Sequence, residues 1–330
     1  MTSSNELIRW GRDPFAGSGT DPQRLGDLSN VEQVDVGHDY VLALKSDGTV
    51  WAWGSNPVVP GNNSETPAQV SGLSDVTDIA AGPYFALALT SAGEVYAWGD
   101  DGSGQLGNGA GDESQNRSTP VQVSGISNAT AIAAGAYHGL AIVDSGDAVK
   151  AWGENSDGEL ATGGTTDFEA APVDVTGLGS AGAIEQVSAG ASHSMALDAN
   201  GAVYTWGSDG DGQLGNGATT GIQTSAINIS GQLDNVDQIA AGGYYSVALK
   251  GGNVHTWGEG GPWLGLGSSP GDHETPIQVG DLDSETITTI DAGSDYTMAI
   301  DDTNGIWVWG NNDYVKLGTS GGNKVSPSAW

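Results

Sequence analysis

The chain has no cysteine, and only nine of its 330 residues are lysine or arginine. The first absence excludes disulfides, thiol catalysis and cysteine-based metal sites. The second excludes nucleic acid as a partner: displacing counterions from phosphates needs clustered cations, and Arg9, Arg12, Arg24, Lys45, Arg117, Lys150, Lys250, Lys316 and Lys324 are scattered. No apolar run approaches the roughly 18 residues of a membrane span. Met1 to Asp13 lacks the basic start and apolar core of a cleavable signal. Membrane insertion is therefore not expected, and the compartments left are the cytoplasm or the surface of a virion assembled there.

Acid is abundant instead. Forty-one Asp and Glu give a formal charge of −32. Such a surface repels itself at ordinary ionic strength, whereas molar salt shortens the Debye length to about 3 Å and removes most of that cost. The balance reads as adaptation to a highly saline milieu, that of a halophile. A calcium-loaded acidic protein is the other reading, and the spread of the acids along the whole chain weighs against it.

Seven Trp-Gly pairs, at Trp10, Trp53, Trp98, Trp152, Trp206, Trp257 and Trp309, recur at intervals of 43 to 54 residues. A period of this size marks a repeat architecture. Each of the last six pairs follows an apolar-Ala-Gly, Ala-Leu landmark, as in residues 79–89 (IAAGPYFALAL), 187–197 (VSAGASHSMAL) and 239–249 (IAAGGYYSVAL). Each pair is in turn followed by a Pro-x-x-Val run, at Pro22, Pro67, Pro120, Pro172, Pro276 and Pro327, with Ala226 replacing proline once. The runs are short, alternating or β-branched, and bounded by Gly, Asp and Asn; Asp47-Gly48, Asn200-Gly201, Gly251-Gly252 and Asn304-Gly305 suit tight hairpins. Four short antiparallel strands per repeat, with no helical period, describe an all-β chain, a β-propeller in one domain over 1–330. The repeated Trp, Val, Ile and Leu side chains are expected to fill the spaces between blades.

Gly104-Gln105-Leu106-Gly107-Asn108-Gly109 and Gly212-Gln213-Leu214-Gly215-Asn216-Gly217 complete the pattern. Gly158 to Gly163 and Lys316 to Gly318 are looser copies, and Asn56 to Gly61 has lost the letters. Together with the Ala-Ala-Gly-x-x-His and Trp-Gly landmarks, these loops resemble the repeat of the regulator of chromosome condensation family over essentially the whole chain. The resemblance implies a propeller that is usually seven-bladed. Trp-Gly and Pro-x-x-Val strands occur seven times but Ala-Gly and Ala-Leu strands six times, so the tally favours seven blade positions with one incomplete, residues 1–30 being a partial repeat and 31–330 six full ones. The second arrangement is six full blades plus an N-terminal two-stranded ribbon. The family's chromatin and small-GTPase exchange roles are not expected, because they need basic loops and a long wedge-like insertion, and four arginines cannot supply a charge-paired dimer face.

No catalytic constellation stands out. The five histidines are far apart, no serine lies in a nucleophile elbow, and paired acids such as Asp100-Asp101 read as solvated turn charges. No enzyme and no cofactor are expected. Binding candidates come from the residues just after each Ala-Gly glycine: Tyr40, Tyr84, Phe85, Tyr137, His138, His193, Tyr244, Tyr245 and Tyr296. Equivalent positions in successive blades fall on one ring, so these either line a rim or pack beneath it as spacers; His138 and His193 occupy the family's own histidine position, which implies hydrogen bonding within the blades. Asp209 and Asp211 resemble part of a calcium loop that lacks its distal glutamate. The expected function is non-enzymatic recognition in high salt of a protein, glycan or glycoprotein at a virion or cell surface, with assembly against neighbouring chains open. An intracellular scaffold or regulator, and a glycan-processing or lyase-type enzyme, are the alternatives.

Overall fold

In a computed structural model, residues 7–13, 17–25, 28–55, 57–110, 116–219, 221–267, 271–313, 316–318 and 322–329 are described. Glu6, Trp330 and residues 111–115 of one acidic loop, all parts of expected strands or loops, lie outside them.

Twenty-four strands make six four-stranded antiparallel blades. Blade 1 holds β3 (Val31–Val36), β4 (Tyr40–Lys45), β5 (Val50–Gly54) and β6 (Ser64–Gln69); blade 2 holds β7 (Val76–Ala81), β8 (Phe85–Thr90), β9 (Val95–Gly99) and β10 (Arg117–Gln122). Blade 3 runs through β11 (Ala129–Ala134), β12 (His138–Val143), β13 (Ala148–Glu154) and β14 (Phe168–Asp174), and blade 4 through β15 (Ile184–Ala189), β16 (His193–Asp198), β17 (Val203–Asp209) and β18 (Gly221–Asn228). Blade 5 comprises β19 (Gln238–Ala241), β20 (Tyr245–Lys250), β21 (Asn253–Gly258) and β22 (His273–Gln278), and blade 6 β23 (Ile287–Ala292), β24 (Tyr296–Asp301), β25 (Ile306–Gly310) and β26 (Lys324–Ala329). The first strands of successive blades adjoin one another from β3 to β23, which places them nearest the axis.

The blade count corrects the favoured expectation of seven positions with one incomplete. There are six full blades, and β1 (Leu7–Asp13) and β2 (Gly17–Leu25) form a separate two-stranded sheet, as in the second arrangement. Landmarks tally strands, whereas a blade is defined by pairing; the Trp10-Gly11 strand pairs with the Pro22 strand alone, and two strands make a ribbon. Leu7 packs with Leu28, Val31, Ala43 and Trp53, so the ribbon lies against blade 1.

The core sits between the blades. On β8, Phe85, Leu87 and Leu89 face blade 3, while Ala86 and Ala88 face Tyr40, Leu42 and Leu44 of blade 1, so every strand face is used. Similar clusters join blades 3 and 4, 4 and 5, and 5 and 6. Each Trp-Gly pair supplies the key to this packing. Strand pairing shifts register at the tryptophan in all six blades, a bulge; the indoles of blades 2 to 6 lie against the preceding blade, and Trp53 of blade 1 packs with Leu7 and Leu28. The following glycine has φ between +98° and +123° at Gly99, Gly153, Gly207, Gly258 and Gly310, a range closed to side-chain-bearing residues.

The indole N–H then donates to a loop carbonyl of the blade before it: Trp98 to Val58 (3.1 Å), Trp152 to Gln105 (2.9 Å), Trp206 to Glu159 (2.6 Å), Trp257 to Gln213 (2.9 Å) and Trp309 to Trp263 (2.7 Å). The Gly-Gln-Leu-Gly loop is therefore a cap for the next blade's tryptophan. Its second glycine lets the ring close in, since a Cβ on Gly107 (φ +59°) would lie 2.7 Å from Trp152 Cδ1. A buried Asp or Asn shapes the loop, with Asp101, Asn155, Asp209 and Asn312 accepting from the leucine N–H at 3.0 to 3.2 Å.

Trp206→Ala removes a fully buried ring and one of the two donors, the indole, to the Glu159 carbonyl, leaving Ser194 Oγ. It is expected to cost about 3–5 kcal/mol, read as a lower urea midpoint with an unchanged slope. A loss below about 1 kcal/mol would show that the indole does not hold the blades together.

Candidate functional site

The turn between the first and second strands of every blade comes to one face. Backbone bonds join the turns around the ring, from His38 N–H to the Pro83 carbonyl (3.2 Å), Ala136 to Gly190 (3.1 Å), Ala191 to Gly243 (2.9 Å) and Gly243 to Ser294 (3.1 Å). The candidate side chains divide into two sets on these turns.

The residue that opens each second strand points between the blades. Tyr40, Phe85, His138, His193 and Tyr245 are at most 2% exposed, and Tyr296 is half-buried. Tyr40 donates to the carbonyls of Gly82 (2.7 Å) and Phe85 (2.6 Å), and Tyr245 to the carbonyl of Tyr296 (2.6 Å) with Thr297 Oγ1 at 3.0 Å. His138 Nε2 lies 2.8 Å from Ser194 Oγ, and His193 Nε2 2.9 Å from Ser246 Oγ; each serine donates on to the loop carbonyl of Glu159 or Gln213. Burial pushes His138 down to about 3, with His193 adding to the shift, and His193 down to about 4. These residues tie blades together.

The residue before it points out. Tyr84 and Tyr137 are half-buried and Tyr244 is 46% exposed. The rings of Tyr84 and Tyr137 stack at 6.0 Å, and His38, a residue the sequence reading passed over, adds a third ring 5.8 Å from Tyr84. Period two along each second strand was the available signal: Phe85 shares a face with Leu87 and Leu89 and so enters the core, while Tyr84 falls in the turn outside it.

A second ring surrounds the first. The residues after each Trp-Gly, namely Ser55, Asp100, Glu154, Ser208, Glu259 and Asn311, donate their N–H to the carbonyls of Asp39, Tyr84, Tyr137, Ser192, Tyr244 and Asp295 at 2.7 to 2.9 Å. Acids thus stand beside the tyrosines. Burial raises the Tyr137 phenol, and Tyr84, Glu154, Asp100 and Tyr244 push it further up. Burial likewise raises Glu259, and Asp211 and Asp272 add to it. The one lysine placed here, Lys316, is held by both Asp295 oxygens at 2.7 Å.

Asp209 is fully buried and engaged in its own loop, accepting from Leu214 N–H and from Asn216 Nδ2 (2.8 Å). Asp211, with its N–H bonded to Gln213 Oε1, sits apart near Asp272 and is raised by burial and by that neighbour. Among the described residues no three His, Asp or Glu are grouped to hold a metal ion. Nearer the axis, Gln33 bridges to the backbone of Ile79, Gln186 to Ile239 and Gln238 to Ile290. Asp35 accepts from Ala81 N–H (2.8 Å), and burial pushes its carboxyl up to about 7.

Fold and face together define a six-bladed β-propeller that presents a ring of loops. Two models described as the regulator of chromosome condensation (RCC1) repeat match the chain, one over 92–142, 148–197 and 200–249, the other over 31–57, 76–105, 129–159, 184–213 and 287–314. The chain is thus built of RCC1 repeats and belongs with the RCC1-like propellers.

It is 33% identical over 197 residues to the mitochondrial RCC1 domain-containing protein RUG3 of Arabidopsis thaliana, covering 58% of this chain and 44% of that one. To the Arabidopsis ultraviolet-B receptor UVR8 it is 32% identical over 190 residues, covering 57% and 42%. It spans less than half the length of these curated relatives. Human WBSCR16 shares the fold with a TM-score of 0.83 at 22% identity over 97% of this chain and 88% of that one. Yeast RCC1 (Prp20) bound to Kap60 gives 0.81 at 22% identity over 99% and 84%. Among the described residues no helix is long and apolar enough to cross a membrane.

The unfolded chain's histidines take up protons below about 6.5, whereas His138 and His193 resist until about 3 and about 4. Their contribution to stability is complete above that range and is lost as the pH falls through it. Asp35 and Glu159, raised to about 7, act in the opposite sense but equally in wild type and variant. His138→Phe, which copies Phe85 of blade 2, should therefore show a smaller fall in urea midpoint between about pH 6.5 and 4.5 than the wild type. Parallel profiles would mean that His138 is not held neutral.

Proposed function

We propose that the chain is a non-enzymatic protein-binding propeller that works in concentrated salt and meets its partner across the face carrying Tyr84, Tyr137 and Tyr244. The observation that carries this reading is the contrast on the turns of blades 2, 3 and 5: one ring is spent between the blades, and its neighbour, Tyr84, Tyr137 or Tyr244, keeps part of its surface open, Tyr84 stacking on Tyr137 of the next blade. Aromatic side chains presented on a rigid frame supply contact area at little entropic cost. Proteins of this fold bind other proteins: yeast RCC1 is seen bound to Kap60, and another structure of Prp20p is described together with its binding to Gsp1p and histones.

The high-salt setting rests on the −32 charge. A glycan or glycoprotein at a virion or cell surface is the second reading, favoured by the Tyr84–Tyr137 pair, whose faces suit a sugar ring. The intracellular regulator is the same scaffold with a soluble partner.

Affinity capture with the intact chain in molar potassium chloride, from envelope and cytosolic fractions separately, tests the reading. A protein retained by the wild type and lost with Tyr84→Leu/Tyr137→Leu is the expected result. Retention by both forms would move the contact off this face, and release by glycosidase treatment would favour the glycan. The thermal midpoint should also rise steeply between about 0.15 M and 2 M potassium chloride as screening takes hold; a flat profile would remove the high-salt reading.

A further inference from the structure

We propose that the row His38, Tyr84 and Tyr137 takes an extended basic peptide, with arginine or lysine side chains laid over the rings and held by the carboxylates beside them. This deepens, and rests on, the reading of the face as a protein-binding surface.

The first support is spacing. The three rings come from blades 1, 2 and 3 and follow one another at 5.8 Å and 6.0 Å. Alternate side chains of an extended peptide project on one side about 6.6 Å apart, so such a segment can set every second residue against successive rings. Cations are drawn to ring faces within about 6 Å.

The second support is the register of the acids. Each ring has its own carboxylate at the same place in the repeat or in the same turn. Asp39 Oδ2 lies 2.8 Å from His38 Nδ1, Asp100 is tied by its N–H to the Tyr84 carbonyl (2.9 Å), and Glu154 to the Tyr137 carbonyl (2.9 Å). The tie is made by backbone; Asp100 Oδ1 accepts from Gly102 N–H and Glu154 Oε1 from Ser156 Oγ, each leaving a second carboxylate oxygen, and both acids act on the Tyr137 phenol. Across the mouth, Tyr244 and Glu259 repeat the pairing. Lys316 on this face is clasped by Asp295, and Arg117, paired in register with Gly99, draws on Asp101; the acids Asp39, Asp100, Asp101 and Glu154 still outnumber that arginine along the row.

Charge decides the class of ligand. An acidic or neutral segment would gain the ring contact and meet the repulsion of a −32 protein, whereas a basic one gains from both. Guanidinium is the better fit, being planar, weakly hydrated and able to stack on a phenol while bonding a carboxylate.

Fluorescence polarisation with the intact chain tests this, using a labelled peptide alternating arginine and glycine and its twin with glutamine for arginine, in about 0.5 M and about 3 M potassium chloride. The arginine peptide should bind about tenfold or more tighter than the twin. Tyr84→Leu/Tyr137→Leu should lose that margin at both salt concentrations. Asp100→Asn/Glu154→Gln, which leaves the rings and the core alone, should weaken binding chiefly at the lower salt, where charges are less screened. Glu65→Gln/Asp281→Asn, on exposed acids elsewhere, should bind like the wild type.

Equal affinity for the two peptides, or an equal loss with the distant acids, would overturn the proposal. If the peptide fails while partner capture still depends on Tyr84 and Tyr137, the basic ligand is wrong and the protein-binding face stands. If both are insensitive to the rings, the face itself is wrong.

Discussion

The hydrogen bond from the Trp-Gly indole of blades 2 to 6 to a carbonyl in the preceding blade is the constraint on which the rest of the molecule depends. It requires a bulge to aim the ring, a glycine with positive φ to follow it, a loop whose carbonyl faces inward, and a loop glycine slim enough to admit the indole. Four features of the repeat that look independent in the sequence are thus one device. The residue after each Trp-Gly glycine also donates its N–H to a carbonyl of the first-to-second-strand turn, so the aromatics on those turns stand on a backbone frame fixed by the same device.

The strands, their order and the all-β class were legible because hydrophobic alternation and glycine-bounded turns recur six times, and repetition averages out local ambiguity. The blade count was less so, since strand landmarks say nothing about pairing partners. The capping role of the loops was hidden for another reason. Blade 1 has lost the Gly-Gln-Leu-Gly letters, and blade 5 replaces them with Pro262–Leu264, yet both supply the carbonyl, from Val58 and Trp263. A backbone acceptor leaves no trace in side-chain identity.

The candidate site was half legible. That aromatics gather on the turns could be read directly, whereas the opposite fates of neighbours such as Tyr84 and Phe85 were carried only by the period-two pattern of the second strand. The same inward position also varies together with what it meets across the blade boundary: His138 and His193 face Ser194 and Ser246, Tyr245 faces Thr297, and Phe85 precedes a blade with Gly139. Such matching is a property of pairs in space, which a single sequence does not display.

The stitching between blades is reciprocal, Tyr40 of blade 1 donating to blade 2 and Trp98 of blade 2 donating back. Polar ties cross every boundary from blade 1 to blade 6, but among the described residues none joins blade 6 back to blade 1. Asp291, the counterpart of Asp35, accepts from its own neighbour Ala292, and Val34 and Val36 of blade 1 and Ile300 of blade 6 stand 37%, 55% and 38% exposed. The ties described here link each blade to its neighbours in series, the pattern of a repeat array, in which loosening one blade is felt first by the two beside it and only through them by the rest.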